Sequence, residues 1–517
     1  MPFSQCALWR QQRTFFETEG VNAWNGQVPF YITSNPYLAH AYATLIFRFL
    51  QDCRQRTPAA AGGPFYILEL GAGTGTFSYH LLRRLMALRE SADVFAADFC
   101  YVMSDVSRKN LEFWRAHAAL QPFVVQGVLD FAQLDLDGDG TVALELSGTV
   151  LGADPATTAQ KPLVVIANYV FDSVPHDLYR VEEGRLLETL VPPALAAPSN
   201  DLTNGFLNLA TLLGDLEEHE VAWPRYEQAA LDGVLQGYLG LSGAGRFLFP
   251  VSALRGIARL RERVSPEILL LVADKGILHA WDKNEDGRLT VGLHGGCLSV
   301  IVDLEAVERY ARDEGGDCFH QVSEGIITSL FTLGMELRSL PETRLALQQF
   351  MGTFNPGHLY DVLRYFDETK PRARLETLVA LLELTLWDPY VFNRFFDVIL
   401  ASLPYAQPYA VHRLAENAQQ IAGNFYFVPG ATDSLFNLGM LLQEVRLYAE
   451  ALEYYEASID YFGRTDAVLY NMGLCCHALG RRDEALAWLR EAVAITPNHV
   501  KARGWISLIA DEGAAEP

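Results

Sequence analysis

The 517-residue sequence predicts an open α/β sheet followed by an all-α solenoid, and three observations carry that prediction. Over the first 340 residues, short apolar runs that break into polar residues alternate with stretches of helical periodicity. One run opens into Gly71-Ala72-Gly73-Thr74-Gly75, a turn between a strand and a helix. Beyond residue 340 the periodicity is helical, and near the end small and apolar residues recur 34 positions apart.

The first strand is Phe65-Tyr66-Ile67-Leu68, which ends in Glu69 and the glycine turn. Phe77, Leu81, Leu85 and Leu88 then recur at near-helical spacing. Gly71, Gly73 and Gly75 let the backbone pass close to a ligand at the carboxyl end of a strand, where open α/β sheets bind nucleosides. A dinucleotide fingerprint requires glycine where this chain has Thr76. Glu69 also suits a pyrophosphate poorly, because a helix N-terminus and bare amides greet that negative charge alone. It suits a ligand that carries positive charge. S-adenosylmethionine brings an ammonium and a sulfonium and no phosphate, and the turn resembles motif I of the class I methyltransferases on a Rossmann-like sheet.

The second strand, Phe99-Cys100-Tyr101-Val102-Met103, delivers Asp105 at its tip, ahead of a helix carrying Leu111 and Trp114. A carboxylate there accepts both ribose hydroxyls of a bound nucleoside, or else caps the helix. Phe123-Val124-Val125 reads as the third strand, which places Asp130 where adenine is contacted. The fourth, Leu163-Val164-Val165-Ile166-Ala167, is continuously apolar, as expected of a parallel strand buried on both faces. It breaks into Asn168-Tyr169-Val170-Phe171-Asp172-Ser173-Val174-Pro175, so Asn168 and Asp172 face the reacting atoms or form a polar turn closed by Pro175.

These segments resemble the MidA-type methyltransferases, the family of the mitochondrial complex I assembly-factor arginine methyltransferase. Tyr31-Ile32-Thr33-Ser34-Asn35-Pro36 is similar to its N-terminal Thr-Ser motif, and Asn168 through Pro175 to its segment after strand four. Ile268 through Gly276 resembles its Asp-Tyr-Gly strand, and Leu298 through Ala311 the strand and helix that follow. The likeness spans roughly residues 25 to 340 in unbroken order. It implies an S-adenosylmethionine-dependent methyltransferase. Glu69, Gly71, Gly73, Gly75, Asp105 and Asp130 would hold the cofactor, with Asn168, Tyr169 and Asp172 at the acceptor. Tyr169 replaces the family's Glu and Lys275 its Tyr, so the substrate end is altered. A guanidinium is best held by carboxylates, so the loss of one acid weakens arginine as acceptor, while Tyr169 offers a ring face to a cation.

Between strands four and five, prolines at 192, 193 and 198 break the chain, and Asn204 to Leu241 reads as helices and loops inserted over the cleft. The insertion, about 192–262, is expected to form a substrate lid. Arg255, Arg259, Arg261 and Arg263 just before strand five read as a solvated helical face. Asp135-x-Asp137-x-Asp139-Gly140 and Asp282-x-Asn284-x-Asp286-Gly287 imitate half of a calcium loop. Residues 146 and 293 are both Leu where the loop requires Glu, so both read as turns and no metal is expected.

The net charge of −23 argues against nucleic acid as a partner, and no apolar run approaches a membrane span. The sequence starts without a signal-peptide pattern. Seven cysteines without a Cys-x-x-Cys spacing read as reduced, buried thiols, which points to the cytoplasm.

In the C-terminal repeat, Asn437, Gly439, Ala451 and Tyr455 are matched by Asn471, Gly473, Ala485 and Leu489. The period is that of tetratricopeptide repeats, in which the glycine lets two helices approach. A last helix from about His499 to Ala510 caps the stack, and Leu375 to Gln420 reads as degenerate helical pairs. The expected organisation is a methyltransferase domain over 1–340, helices over 341–430 and repeats over 431–517. The expected function is methylation of a protein side chain, with the repeats recruiting a substrate or partner. A small-molecule methyltransferase and an inactive scaffold stand as alternatives.

Overall fold

A computed structural model describes residues 1–24, 31–56, 63–92, 98–153, 161–192, 204–209, 216–240, 245–279, 289–294, 297–323, 325–370 and 373–514. The chain divides into two compact units, Met1–Asp361 and Val362–Pro517.

The first unit is built on a seven-stranded sheet: β1 Phe65–Glu69, β2 Phe99–Asp105, β3 Leu129–Gln133, β4 Leu163–Asn168, β5 Ile268–Asp274, β6 Cys318–Ser323 and β7 Ile326–Leu333. Their spatial order is β6-β7-β5-β4-β1-β2-β3. Neighbours from β3 to β5 run parallel, and β7 lies antiparallel to both β5 and β6. Strand order reverses between β1 and β4, and such a switch point opens a crevice beyond the carboxyl ends of the strands. The glycine turn and the Asn168 turn therefore meet at one place. β2 and β5 are buried along their whole length, which explains their largely apolar sequence, and β7 is equally buried although it carries Thr328, Ser329 and Thr332.

Four helices bear on the site: α1 Ala7–Glu19, α2 Pro36–Arg56, α3 Thr76–Ala92 and α4 Arg108–Ala116. α2 follows the Thr33-Ser34 segment, and the Leu38 amide donates to Asn35 Oδ1 (2.9 Å) at its start. A side-chain acceptor there satisfies an amide the helix leaves orphaned.

Two expectations are corrected. The third strand is not at Phe123-Val124-Val125, which lies in a short helix, Gln121–Val125. Pro122 at its first turn has no amide to donate to a sheet ladder, and the strand begins only after Gly127 turns the chain at φ +69°. The inserted segment is also not purely helices and loops. Asp177–Glu182, Arg185–Leu190, Glu217–Glu220 and Gly245–Phe249 form a four-stranded antiparallel sheet, and Asn204–Asn208 pairs with Thr290–His294. The helix Val251–Arg263 then leads into β5 with its arginines engaged. Arg261 pairs with Glu314, Arg259 donates to the Leu136 carbonyl, and Arg255 lies over the Tyr226 ring.

The second unit is helical. Ser434–Glu444 with Tyr448–Phe462, and Asp466–Ala478 with Arg482–Ile495, form two antiparallel pairs, and Val500–Ala514 follows. Gly439 and Gly473 sit at their crossings: a Cβ would come within 2.5 Å of the Tyr455 ring and 2.7 Å of Leu489. Glycine is required there by contact and not by backbone angle. Upstream, five short helices run from Leu375 to Asn424. Among the described residues no helix is long and apolar enough to cross a membrane, and all seven cysteines are free, six of them buried.

Candidate functional site

Gly71, Gly73 and Gly75 all take left-handed angles, at φ +60°, +56° and +83°. A Cβ on Gly73 would lie 2.9 Å from the Trp24 ring, and one on Gly71 would lie 3.2 Å from Val170 Cγ2. The turn is tied to β2 at two points and to α4 at one. The Ala72 amide donates to the Ser104 carbonyl (2.9 Å), the Gly73 amide to Asp105 Oδ2 (3.2 Å), and Trp114 Nε1 to the Gly73 carbonyl (3.0 Å). Asp105 also accepts from the Ser107 amide and Asn110 Nδ2, both at 2.9 Å. Burial raises its carboxyl above the usual value, and these donors oppose the shift.

A cavity of about 340 Å³ opens over this turn. Gly71, Ser104 and Asp105 form one wall, Leu134 to Asp137 a second, and Tyr169 and Val170 a third. Trp9, Arg13 and Phe16 of α1 and Trp24 complete it. None of these four was legible as a site residue. Arg13 pairs with Asp135 across the rim, and Phe16 stacks on Trp24 at 5.7 Å.

A second, polar chamber shares Gly71, Phe16, Trp24, Tyr169 and Ser173 with the first. Thr33, Ser34, Asn168, Asp172, Lys275, His294, Cys297 and Ser299 also line it. Asn168 Oδ1 accepts from the Tyr42 hydroxyl (3.2 Å), whereas its Nδ2 is buried with no partner. Tyr169 holds φ +51°, a conformation that costs a side-chain-bearing residue of order ~1 kcal/mol or more. Its ring lies 5.8 Å from Lys275 Nζ, so the cation it meets is the chain's own. Asp172 accepts from Ser173 Oγ (2.7 Å). The turn is anchored from β5: Asp274 accepts from the amides of Phe171 (2.9 Å), Asp172 (3.2 Å) and Lys275 (2.8 Å). Burial raises both carboxyls. Asp172 pushes Asp274 up further, and Lys275 draws Asp172 back down.

The structure brings Gly71, Gly73, Asp105, Asn168, Tyr169 and Asp172 to the two cavities, whereas three expected cofactor residues, Gly75, Glu69 and Asp130, line neither. Glu69 is turned into the sheet, where it accepts from the Tyr101 hydroxyl (2.6 Å) and from Ser78 of α3. Burial raises its carboxyl to about 7. It braces β1, β2 and α3 behind the turn and lines neither cavity. Asp130 lies inside β3, where it accepts from the amides of Phe131, Leu146 and Ser147. The displaced strand puts Leu134 and Asp135 at the position expected of Asp130. Among the described residues, those of α1 and Trp24 line the cavities and none of the 192–262 insertion does. Asp135 opens a turn through bonds from the Asp137 amide to its Oδ1 and the Gly138 amide to its carbonyl (both 2.9 Å). The second such segment, residues 282–287, lies outside the described residues.

The donor set fits S-adenosylmethionine: a cradle that a Cβ would fill, a carboxylate at the tip of β2, and an unpartnered amide on a residue of the polar chamber beside it. The glycine turn and Asp105 would hold the nucleoside, and the cofactor would supply a methyl group already activated by a sulfonium. Fold and site define a Rossmann-like methyltransferase. Residues 45–212 match the family model described as "Putative S-adenosyl-L-methionine-dependent methyltransferase", and residues 430–498 match that of the tetratricopeptide repeat. With the site, the match over residues 45–212 supports an S-adenosylmethionine-dependent methyltransferase in the first unit, and the second carries tetratricopeptide repeats.

Among solved structures, the chain is similar to one from Burkholderia thailandensis bound to S-adenosyl-homocysteine (14% identity, 65% of this chain and 88% of that chain, TM-score 0.38). It is also similar to an O-methyltransferase family protein from Burkholderia thailandensis (10% identity, 64% of each chain, TM-score 0.28). A third is MamA from Desulfovibrio magneticus (15% identity, 30% of this chain and 85% of that chain, TM-score 0.25). No curated protein matches the chain.

Proposed function

We propose that this methyltransferase acts on a side chain of a cytoplasmic protein and that the tetratricopeptide repeats recruit the substrate or a partner. The observation that supports a working transferase is the junction of the two cavities at Gly71 and Tyr169, one holding Asp105 and the other the polar groups of an acceptor chamber. Methyl transfer asks the protein mainly to position an acceptor in line with an activated methyl, and a polar chamber beside a nucleoside cleft does that. The repeats support a protein acceptor, since stacked helical pairs bind peptides and partner proteins. Lys275 places a positive charge in the chamber, which argues against a guanidinium and for a neutral acceptor group.

The test is incubation of the full chain with S-adenosylmethionine labelled on its methyl group and a cell lysate, separated into protein and small-molecule fractions. Label in protein supports the reading, and label only in small molecules replaces it with a small-molecule acceptor. Label in neither, with cofactor bound, leaves a scaffold that holds cofactor.

A further inference from the structure

His294 ends the strand Thr290–His294, where it pairs antiparallel with Cys297. It lines the acceptor chamber, and its Nε2 is buried without a hydrogen-bond partner. A buried polar atom left unpaired costs ~1–3 kcal/mol, so it marks a place where a ligand completes the bonding. Gly292 leaves room for the arrangement: a Cβ there would stand 2.8 Å from Ser299 Oγ and 3.0 Å from His294 Nε2. Ser299 Oγ in turn accepts from Lys275 Nζ (3.1 Å). The second unpartnered atom of the chamber, Asn168 Nδ2, is a donor. Two residues of the chamber thus carry an unpartnered polar atom, one a donor and one an imidazole nitrogen.

We propose that His294 is the proton acceptor of the methyl-transfer step and that the substrate group is neutral, with its hydrogen on oxygen or nitrogen. This rests on the transferase reading above. The acceptor's lone pair forms the bond to the methyl carbon, and the pair of the broken carbon–sulfur bond stays on sulfur, which becomes neutral. The acceptor's proton passes to His294 Nε2, so the positive charge lost at sulfur reappears on the imidazolium. Asn168 Nδ2 donates to the substrate group and orients it.

The base must be neutral beforehand. Burial lowers the His294 imidazole below its ordinary value, and the Lys275 charge lowers it further. The other ionisable groups of the chamber are Tyr169, Asp172 and Cys297. Burial keeps the Tyr169 hydroxyl protonated, pushes the Cys297 thiol up to about 12 and raises the Asp172 carboxyl, which Lys275 draws back down.

The experiment compares wild type with His294→Gln in labelled-methyl transfer to lysate acceptors between about pH 5 and 9, and in calorimetry with S-adenosylhomocysteine. The variant should bind S-adenosylhomocysteine within about twofold of wild type and transfer at least ~100-fold more slowly, the usual scale of a lost general base. The wild-type rate should rise through an ionisation below pH 6.5 and level off, and that limb should vanish from the variant's residual rate. A variant that transfers at the wild-type rate with the same profile overturns the inference and leaves the methyltransferase reading standing. Wild type that binds S-adenosylhomocysteine and labels no acceptor ends both.

Discussion

Gly73→Ala places a methyl group where the structure has none to spare. Gly73 holds φ +56°, and a Cβ there would sit 2.9 Å from one Trp24 ring carbon and 3.2 and 3.3 Å from two others. The left-handed angle alone costs a residue with a side chain ~1–2 kcal/mol. Crowding against a ring held by Phe16 adds ~1–3 kcal/mol, so the first unit should lose ~2–5 kcal/mol. Gly148→Ala is the control, because Gly148 holds φ +69° with nothing within 4 Å and should lose only the backbone part. Urea unfolding of both variants, followed through the first unit's transition, reads the difference as the Trp24 contact. Calorimetry with S-adenosylhomocysteine reads the second consequence. The methyl group stands between the turn and its cover, so affinity in Gly73→Ala should fall by tenfold or more, about 1.4 kcal/mol. Wild-type affinity in Gly73→Ala, with a stability loss no larger than in Gly148→Ala, would refute both the packing argument and the location of the cofactor.

Three further outcomes follow from other parts of the molecule. Asp105→Asn keeps the side chain's size but removes the charge that accepts from Gly73, Ser107 and Asn110, so calorimetry should show ~10- to 100-fold weaker cofactor binding, the scale of a charge-assisted bond. Burial raises Glu69 to about 7 from 4.5, so the folded state keeps a proton that the unfolded state releases, and stability falls as pH rises from about 4.5 to 7 by roughly 3 kcal/mol. Glu69→Gln should flatten that part of the curve in pH-dependent urea unfolding. Gly439→Ala drives a methyl group into the Tyr455 ring without backbone strain and should lower the second unit's stability by ~1–3 kcal/mol, read as its thermal transition.

The positions that could be read in the sequence are those where one residue type answers one local demand. The glycines at 71 and 73 are needed for positive φ and close approach, and those at 439 and 473 for helix crossings. The apolar runs of β1, β4 and β5 are needed because parallel strands are covered on both faces. β3 was misplaced because Phe123-Val124-Val125 has strand-forming composition, but Pro122 and Gly127 settle the outcome by backbone chemistry. The insertion was misread because its strands are short and gain their stability only by pairing with one another and with Thr290–His294. Trp9, Arg13, Phe16 and Trp24 carry no motif, because any residues that cover the cleft would serve. Only the path of α1 brings them there.

The sequence by itself determined the class of cofactor and the two architectures, because glycine spacing, strand burial and a 34-residue period are local constraints that leave a periodic trace. Only the tertiary structure decided what Glu69 does. The direction of its side chain depends on Tyr101 and Ser78, which arrive from another strand and from the following helix. The same holds for the acceptor chamber. Asn168, Lys275 and His294 are far apart in the chain and meet because strand order reverses beside β4 and a short hairpin closes over it, a coincidence in space that one-dimensional spacing does not record.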